Sequence, residues 1–368
     1  MRSPFFTFIL VSQSLLILLH WFVCETWIYF QQITDSHAIF ALRLVALLLS
    51  LSFIAASLLA WRTFAWPVRL FYTISAAWLG AFSYFVLASC FLWIAYAVAL
   101  LAEHVEKAIL ADVVFGLAFL AAVVAVINAN LVRVPRITLN LPGLPESWRG
   151  RTTALVSDTH LGHVHNLRFM RAIVRKLNQL RLDVVFITGD LYDGTAAPLD
   201  LLAEPWKELS APHGAYFVTG NHEEFTDRRK YLDAVTRSGV HVLNNTKIEI
   251  EGLQLIGVHY REANDQESFR AIIQSAAIDP ARASILLTHA PHHLHVSEAA
   301  GISLQLSGHT HGGQFAPFTW ITRRIYGVYV HGLNRFGKML VFTTWGTGTW
   351  GPPLRLGTNP QIVLIQFE

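Results

Sequence analysis

The sequence predicts two parts in series: a bundle of membrane-spanning helices, then a water-soluble α/β domain. Four runs in the first third of the chain, residues 3–24, 44–61, 70–102 and 113–132, contain no Asp, Glu, Lys or Arg. After residue 132 short apolar runs alternate with amphipathic ones, as in a soluble α/β protein. Across all 368 residues 53% are hydrophobic and only 14% charged, with a mean hydropathy of +0.41. Soluble domains usually carry about 25% charged residues, so an ordinary cytosolic enzyme and a disordered chain are both excluded.

A helix needs about 20 apolar residues to cross the hydrocarbon core, which predicts transmembrane helices near 4–28, 39–61, 71–98 and 109–131. The third is long for one crossing and is expected to tilt or to project into the interface. Trp21, Trp27, Tyr29, Trp61, Trp66 and Trp93 fall at or near the predicted helix ends, where interfacial aromatics gather. The first run is too long for a signal peptide and lacks a small-residue cleavage site, so it reads as a span. Asp112 lies near a helix start, within reach of headgroups. His20 reads as a neutral ring bonded to a neighbouring helix rather than as part of a proton path.

Orientation follows from Lys and Arg in the short connections. Arg2, Arg62, Arg69, Arg133 and Arg136 share one side; Arg43 and Lys107 lie on the other, among Asp35, Glu103 and Glu106. Five basic residues against two place both termini, and the soluble domain, in the cytoplasm. Cys24 and Cys90 are the only cysteines and both sit in apolar runs, which excludes a disulfide framework and a thiolate metal site. The net charge of +3 is spread over the chain, so no nucleic-acid partner is expected.

The boundaries expected are a four-helix region over 1–132, a linker over 133–150 punctuated by Pro135, Pro142 and Pro145, and a soluble domain over 151–368. Within that domain strands are predicted at 153–157, 183–188, 216–219, 240–243, 247–250, 253–258, 284–288, 303–306, 339–343 and 362–367. Helices are predicted at 167–180, 199–210 and 225–238. The early β-α-β alternation implies parallel strands, and the later strands a second sheet.

Chemistry concentrates in five short stretches, each directly after a predicted strand. They are Ser-Asp158-Thr-His160, Gly-Asp190, Gly-Asn221-His222-Glu, Thr-His289 and Gly-His309-Thr-His311-Gly-Gly. Ligands of α/β sheets gather beyond the carboxyl ends of strands, so the five can converge. Any one alone reads as an ordinary turn; five in this arrangement do not. Carboxylates, imidazoles and an amide without thiolate suit divalent Mn, Fe, Zn or Co. Eight candidates exceed what one catalytic zinc takes, so two divalent metal ions are expected.

The pattern Asp158-x-His160, Gly189-Asp190, Gly220-Asn221-His222-Glu223, His289, Gly308-His309-x-His311 resembles the calcineurin-like metallophosphoesterase superfamily. The Gly-His-Thr-His-Gly-Gly-Gln run at 308–314 and Pro-Pro-Leu-Arg-Leu-Gly at 352–357 resemble its membrane-associated bacterial subgroup. Four helices ahead of such a domain are similar to transmembrane proteins with a metallophosphoesterase domain. The resemblance implies a four-layer αββα sandwich with the site at its rim, in a multi-pass protein of the bacterial inner membrane. It implies that Asp158, His160 and His311 hold one metal, that Asn221, His289 and His309 hold the other, and that Asp190 bridges them. A hydroxide between the ions would attack phosphorus in line, with His222 contacting the phosphate or protonating the leaving oxygen. The chain departs from relatives at His259-Tyr260, where an acidic residue is common, which leaves that substrate contact open. Asp193 reads equally as a support for a ligand and as a turn residue.

His163, His165, His292, His293 and His295 surround the motifs and read as solvated loop histidines. The segment 315–336 mixes Phe318, Trp320, Ile321, Tyr326 and Tyr329 with Arg323, Arg324 and Arg335. It reads equally as a segment dipping into an anionic headgroup layer and as ordinary packing with surface arginines. Tethering favours a lipid-linked phosphoester or pyrophosphate, such as a UDP-diacylglucosamine-type molecule suggested by relatives, or a phospholipid. The alternative is a membrane sensor or scaffold that binds a ligand without turnover.

Overall fold

The structure is a computed structural model that describes residues 3–99 and 106–368. Arg2 and Glu103, which entered the charge count, lie outside the described residues. The chain divides into two compact units, Met1–Ile127 with Gly351–Leu354, and Asn128–Trp350 with Arg355–Glu368.

The first unit holds α1 (Ser3–Phe30), α2 (Ser36–Ala60), α3 (Trp66–Ala99) and α4 (Lys107–Ala129). All four are long and apolar enough to cross a membrane, and they mark the chain as a membrane protein. At 1.5 Å per residue the 34 residues of α3 reach about 51 Å, well beyond a 30 Å hydrocarbon core. The Asp35 carboxylate caps α2 by accepting from Ala38 N at 2.7 Å. An unpaired polar group in hydrocarbon costs several kcal/mol, so the side chains pair off across helices. The His20 ring accepts at Nε2 from Trp78 Nε1 (3.0 Å) and meets the Leu16 carbonyl through Nδ1 (2.8 Å), the arrangement of a neutral imidazole. Asp112 accepts from Gln31 Nε2 at 2.7 Å, and Arg43 forks onto Glu25 at 2.7 and 3.0 Å.

The second unit runs β1 (Arg136–Leu139), β2 (Thr152–Val156), α5 (Leu167–Gln179), β3 (Val184–Thr188), α6 (Leu199–Ala203), β4 (Ala215–Val218), α7 (Arg228–Arg237) and β5 (His241–Val242). It continues through β6 (Thr246–Ile250), β7 (Leu253–Gly257), α8 (Tyr260–Asn264), α9 (Gln266–Ser275), β8 (Ser284–Leu287), α10 (Leu294–Ala299) and β9 (Leu304–Ser307). It ends with α11 (Phe318–Tyr326), β10 (Gly332–Phe336), β11 (Met339–Thr343) and β12 (Val363–Phe367). Two six-stranded sheets result, ordered β1-β12-β2-β3-β4-β5 and β10-β11-β9-β8-β7-β6. The strands β2 to β5 are mutually parallel, as are β7, β8, β9 and β11. The five motif stretches follow directly on the carboxyl ends of β2, β3, β4, β8 and β9.

Leu155, Phe186 and Val218 of the first sheet and Leu255, Leu287 and Leu306 of the second share one buried core. Each such side chain contributes roughly 1.5–3 kcal/mol by leaving water. Helices cover the outer faces. In α5 Met170, Ile173, Val174 and Leu177 are buried at helical spacing, and α9 buries Phe269 and Ile273 one turn apart. The layers are those of an αββα sandwich.

Local chemistry moved several boundaries. Residues 133–150, expected to be a linker, contain β1, which pairs in parallel with β12, and Trp148, buried in the core with its Nε1 donating to Ile250 O at 2.8 Å. Pro135 precedes that edge strand and Pro142 and Pro145 follow it, so none removes a donor from within it. The helix expected at 199–210 stops at Ala203 and tightens into a 3-10 turn, Glu204–Glu208, whose second residue is Pro205. The helix expected from 225 starts at Arg228, because Asp227 caps it by accepting from Arg229 N.

Candidate metal centre

The five stretches emerge from the carboxyl ends of β2, β3, β4, β8 and β9 and meet. Their backbones are unusual: Asp158, His160, Asp190, His309 and His311 all have positive φ, between 47° and 69°. For residues with a Cβ that region costs roughly 1 kcal/mol or more each, and it turns each side chain inward from the strand end. Neighbouring glycines make room. A Cβ on Gly308 would strike Ser157 Oγ and Asp158 Oδ2, and one on Gly189 would come within 2.7 Å of His289 Nδ1.

Three ligand-type groups result: Asp158, His160 and His311; His160, Asp193 and His222; and Asp190, His289 and His309. In each, the candidate atoms lie within 4.8 Å of one another. Asp190 is central. Its Oδ2 stands 3.2 Å from His289 Nε2, 3.8 Å from His160 Nε2 and 3.9 Å from His222 Nε2. On one side His160 Nε2 faces His311 Nε2 at 3.0 Å, and His311 Nε2 lies 3.3 Å from Asp158 Oδ1. On the other, His289 Nε2 is 3.0 Å from both Asn221 Oδ1 and His309 Nδ1.

These spacings fit divalent cations. Bonds of 2.0–2.1 Å at right or tetrahedral angles separate neighbouring donor atoms by about 2.9–3.4 Å. The tautomers demand positive charge as well. His289 Nδ1 meets the Thr188 carbonyl at 2.7 Å, which makes Nδ1 the donor and turns a lone pair at Nε2 toward Asn221 Oδ1 and Asp190 Oδ2. Three acceptors facing one another need a proton or a cation among them. Burial lowers the pKa of His289, but Asp190 outweighs it and pushes the value up to about 9. Burial likewise opposes ionisation of Asp158 and Asp190, yet the His311 ring beside the first and the His289 and His222 rings beside the second hold both well below the usual carboxylate range. His160 Nδ1 is buried with no hydrogen-bond partner in reach.

Supporting contacts fix this arrangement. Glu223 Oε2 accepts from Asp190 N (3.0 Å) and Gly220 N (2.7 Å), and its Oε1 accepts from Tyr192 N at 3.0 Å. Burial, with Asp190 close by, pushes its carboxyl up to about 7. Arg355 is fully buried and donates to His311 O at 2.9 Å, Trp345 O at 2.7 Å and Gly348 O at 2.6 Å, with Nη2 also 3.0 Å from His311 Nδ1. Neither role could be assigned from sequence. Glu223 falls in the Gly-Asn-His-Glu stretch and Arg355 in the Pro-Pro-Leu-Arg-Leu-Gly run, which mark both residues without telling what they touch; Arg355 is 44 residues from the ring it supports.

His222 Nδ1 donates to the Asp193 carbonyl at 2.9 Å, leaving Nε2 directed at the Asp190 side of the site. Asp193 Oδ1 lies 3.7 Å from His160 Nδ1 and 4.0 Å from His222 Nδ1, and burial pushes its carboxyl up to about 7. At the His259-Tyr260 departure, His259 is buried and its Nδ1 accepts from Thr219 N at 3.1 Å, away from the centre. The Tyr260 ring instead lies 5.6 Å from that of His289 and 5.9 Å from that of His309.

Two of the histidines expected in solvent are not there. His163 and His165 are buried, and His165 is tied to Thr349 Oγ1 at 2.9 Å and packed on Phe169. Loop position alone misled, because the loop after β2 is covered by the segment around Thr349. His292 and His293 are half-buried and His295 is exposed.

The family model of the calcineurin-like phosphoesterases matches residues 151–313. An uncharacterized metallophosphoesterase of Helicobacter pylori is 31% identical over 217 residues, covering 58% of this chain and 58% of that protein. A transmembrane protein with metallophosphoesterase domain from Danio rerio is 31% identical over 266 residues, 67% of this chain and 60% of its own length. The match thus spans less than two thirds of these relatives. Among solved structures, a dimetal phosphatase from Danio rerio aligns with 54% of this chain and 88% of its own at 11% identity and a TM-score of 0.39, which adds nothing to the assignment. Behind its four apolar helices the chain carries a calcineurin-like metallophosphoesterase domain.

Proposed function

We propose that this protein is a membrane-anchored hydrolase of phosphoester or pyrophosphate bonds that uses two divalent cations. The carrying observation is the gathering of Asp158, His160, His311, Asn221, His289 and His309 around the single carboxylate of Asp190, at spacings suited to cations. On this reading Asp190 is shared by both cations, with the first three side chains on one and the last three on the other. Bound there, the cations would acidify a water for attack on phosphorus and offset charge on the phosphoryl oxygens.

His222 is the group this chain offers to the substrate. Its Nδ1 donates to the Asp193 carbonyl, so Nε2 faces the site and carries a proton to give or share when the ring is in its imidazolium form. Burial alone would keep the ring neutral, but Asp190 and Asp193 outweigh it and raise its pKa, which suits a donor to a phosphate or leaving oxygen.

The substrate proposed is lipid-linked, because the tethering helices favour phosphate esters held at a bilayer over diffusing ones. Arg62, Arg69, Arg133 and Arg136 against Arg43 and Lys107 support a cytoplasmic phosphoesterase domain in a bacterial inner membrane.

Purified full-length protein is expected to turn over a chromogenic aryl phosphodiester only with added Mn, Fe, Zn or Co, and to lose that turnover in Asp190→Asn and His222→Ala. The same protein incubated with a lipid extract should release a phosphate-containing product visible by mass spectrometry. Folded protein inert under all four metals, or turnover that survives Asp190→Asn, would refute the hydrolase reading.

A further inference from the structure

The segment that follows the His309/His311 loop has its polarity reversed. In α11 the residues turned toward the protein are Thr319, Thr322 and Tyr326, all half-buried and spaced three and four apart. Those turned outward are apolar: Phe318 is 47% exposed, Trp320 66%, Ile321 52% and Ile325 69%, and Val328 just beyond is 65% exposed. No residue of this helix is buried. A helix folded only for its own domain places these side chains the other way round. Isolated exposed apolar residues need no explanation, but a contiguous face of this kind marks an interaction surface.

Charge identifies the partner. Arg323 and Arg324 stand exposed in the last turn beside that face, and neither makes an ion pair among the described residues. Between Glu298 and Glu368 the sequence has no acidic residue, while Arg323, Arg324, Arg335, Lys338 and Arg355 all fall there. Aromatic and aliphatic side chains flanked by unpaired arginines match the acyl–headgroup boundary of an anionic bilayer. Such a surface is at hand, since only residues 130–135, at most roughly 20 Å of chain, connect α4 to β1.

The same segment borders the candidate centre. The Tyr326 ring lies 6.2 Å from that of His309, and Thr310 Oγ1 donates to Val330 O at 2.7 Å. We infer that α11 and the turn after it form a docking surface for an anionic lipid bilayer, seated beside the metal centre. This deepens the proposed function by giving its lipid-linked substrate a place of entry, and to that extent it rests on that reading.

The test uses the full chain in nanodiscs, with Cys24 and Cys90 replaced by Ser and one nitroxide label introduced by Ile325→Cys or, as control, by Leu201→Cys. Leu201 is 47% exposed in α6, a helix that packs against α5 and α7. With discs containing a third phosphatidylglycerol, the Ile325 label should become at least about fivefold more accessible to oxygen relative to a water-soluble nickel relaxant than the control label. Arg323→Glu with Arg324→Glu, or pure phosphatidylcholine discs, should reduce that ratio by half or more.

An Ile325 label as water-accessible as the control in both lipids overturns the inference. So does label–label broadening that shows a second copy on this face, or protection that persists in detergent through another protein. Turnover of the soluble chromogenic diester, measured on the same samples, separates the two readings. Lipid contact without any turnover defeats the hydrolase and leaves the docking surface; turnover without lipid contact does the reverse.

Discussion

Asp158, His160 and His311 lie wholly inside the protein, whereas Asn221 and His309, across Asp190, are only partly buried. The closed side is backed by side chains: Arg355 grips the carbonyl and lies against the ring of His311, and Asp193 stands 3.7 Å behind His160. The open side is backed by main chain, through the Thr188 carbonyl on His289, and edged by the rings of Tyr260 and Tyr326. A buried ring that must present one nitrogen needs its other nitrogen constrained, and a hidden site can do that with charge. On the open side His289, itself fully buried, is held instead by a backbone carbonyl, which does not titrate. On the proposed reading the closed side holds its cation and the open side meets the substrate.

The sharpest way to break this contrast is to remove what both sides share. Asp190→Asn keeps the shape and deletes the carboxylate that lies within reach of His289, His160 and His222. Bound metal, counted by elemental analysis of purified protein, should fall from two equivalents toward none. Turnover should drop by about 10³-fold or more, since cation stabilisation of phosphoryl charge is worth several kcal/mol. A variant that retains both equivalents would remove the idea of a shared carboxylate.

Next in size are single-sided losses. His311→Ala on the closed side and His309→Ala on the open side should each leave about one equivalent, with turnover lowered by about 10²-fold or more for either. Two equivalents surviving in both variants, or none in both, would erase the distinction between the sides.

Much of this is legible in the sequence. The four apolar spans follow from charge-free runs whose length matches a bilayer, and the strand-end position of Asp158, Asp190, Asn221, His289 and His309 follows from short apolar runs that stop just before them. Periodicity reports which face is buried and little else. It could not show that β1 returns to pair with β12, because pairing of strands more than two hundred residues apart leaves no local mark. The burial of His165, the support from Glu223 and Arg355, and the inward threonines of α11 depend on neighbours distant in sequence. In α11 a polar inner face contradicts the pattern that makes helices readable, which is why the segment was equally compatible with packing and with a membrane surface.

The closed side can be loosened without touching a candidate ligand. Arg355→Met keeps an unbranched apolar stem but ends short of the guanidinium, and removes the hydrogen bonds to the carbonyls of His311, Trp345 and Gly348. The Trp345 and Gly348 carbonyls then lose this donor, while His311 O keeps Gln314 N at 3.1 Å, and stability should fall by about 2–5 kcal/mol, read as a fall in melting temperature. Cation affinity on the closed side should weaken about 10- to 100-fold, with the open side unchanged in a stepwise titration. Equal weakening of both sides would mean that Arg355 supports the fold at large rather than His311.

The smallest effect is expected at Asp193. Its carboxylate belongs to a ligand-type group with His160 and His222 but to neither of the two proposed cation sets; it stands beside the Nδ1 atoms of those rings, and burial pushes its own pKa up to about 7. Asp193→Asn preserves size and the backbone carbonyl that accepts from His222. If the carboxylate steadies those two rings, turnover should fall about tenfold with metal content intact, because orientation of a ligand's second nitrogen tunes it without removing it. If Asp193 only closes the Tyr-Asp-Gly turn, the variant should match the parent in turnover at every pH tested. A loss of metal as large as that in His311→Ala would instead make Asp193 part of the closed side itself, which the 3.7 Å gap to His160 argues against.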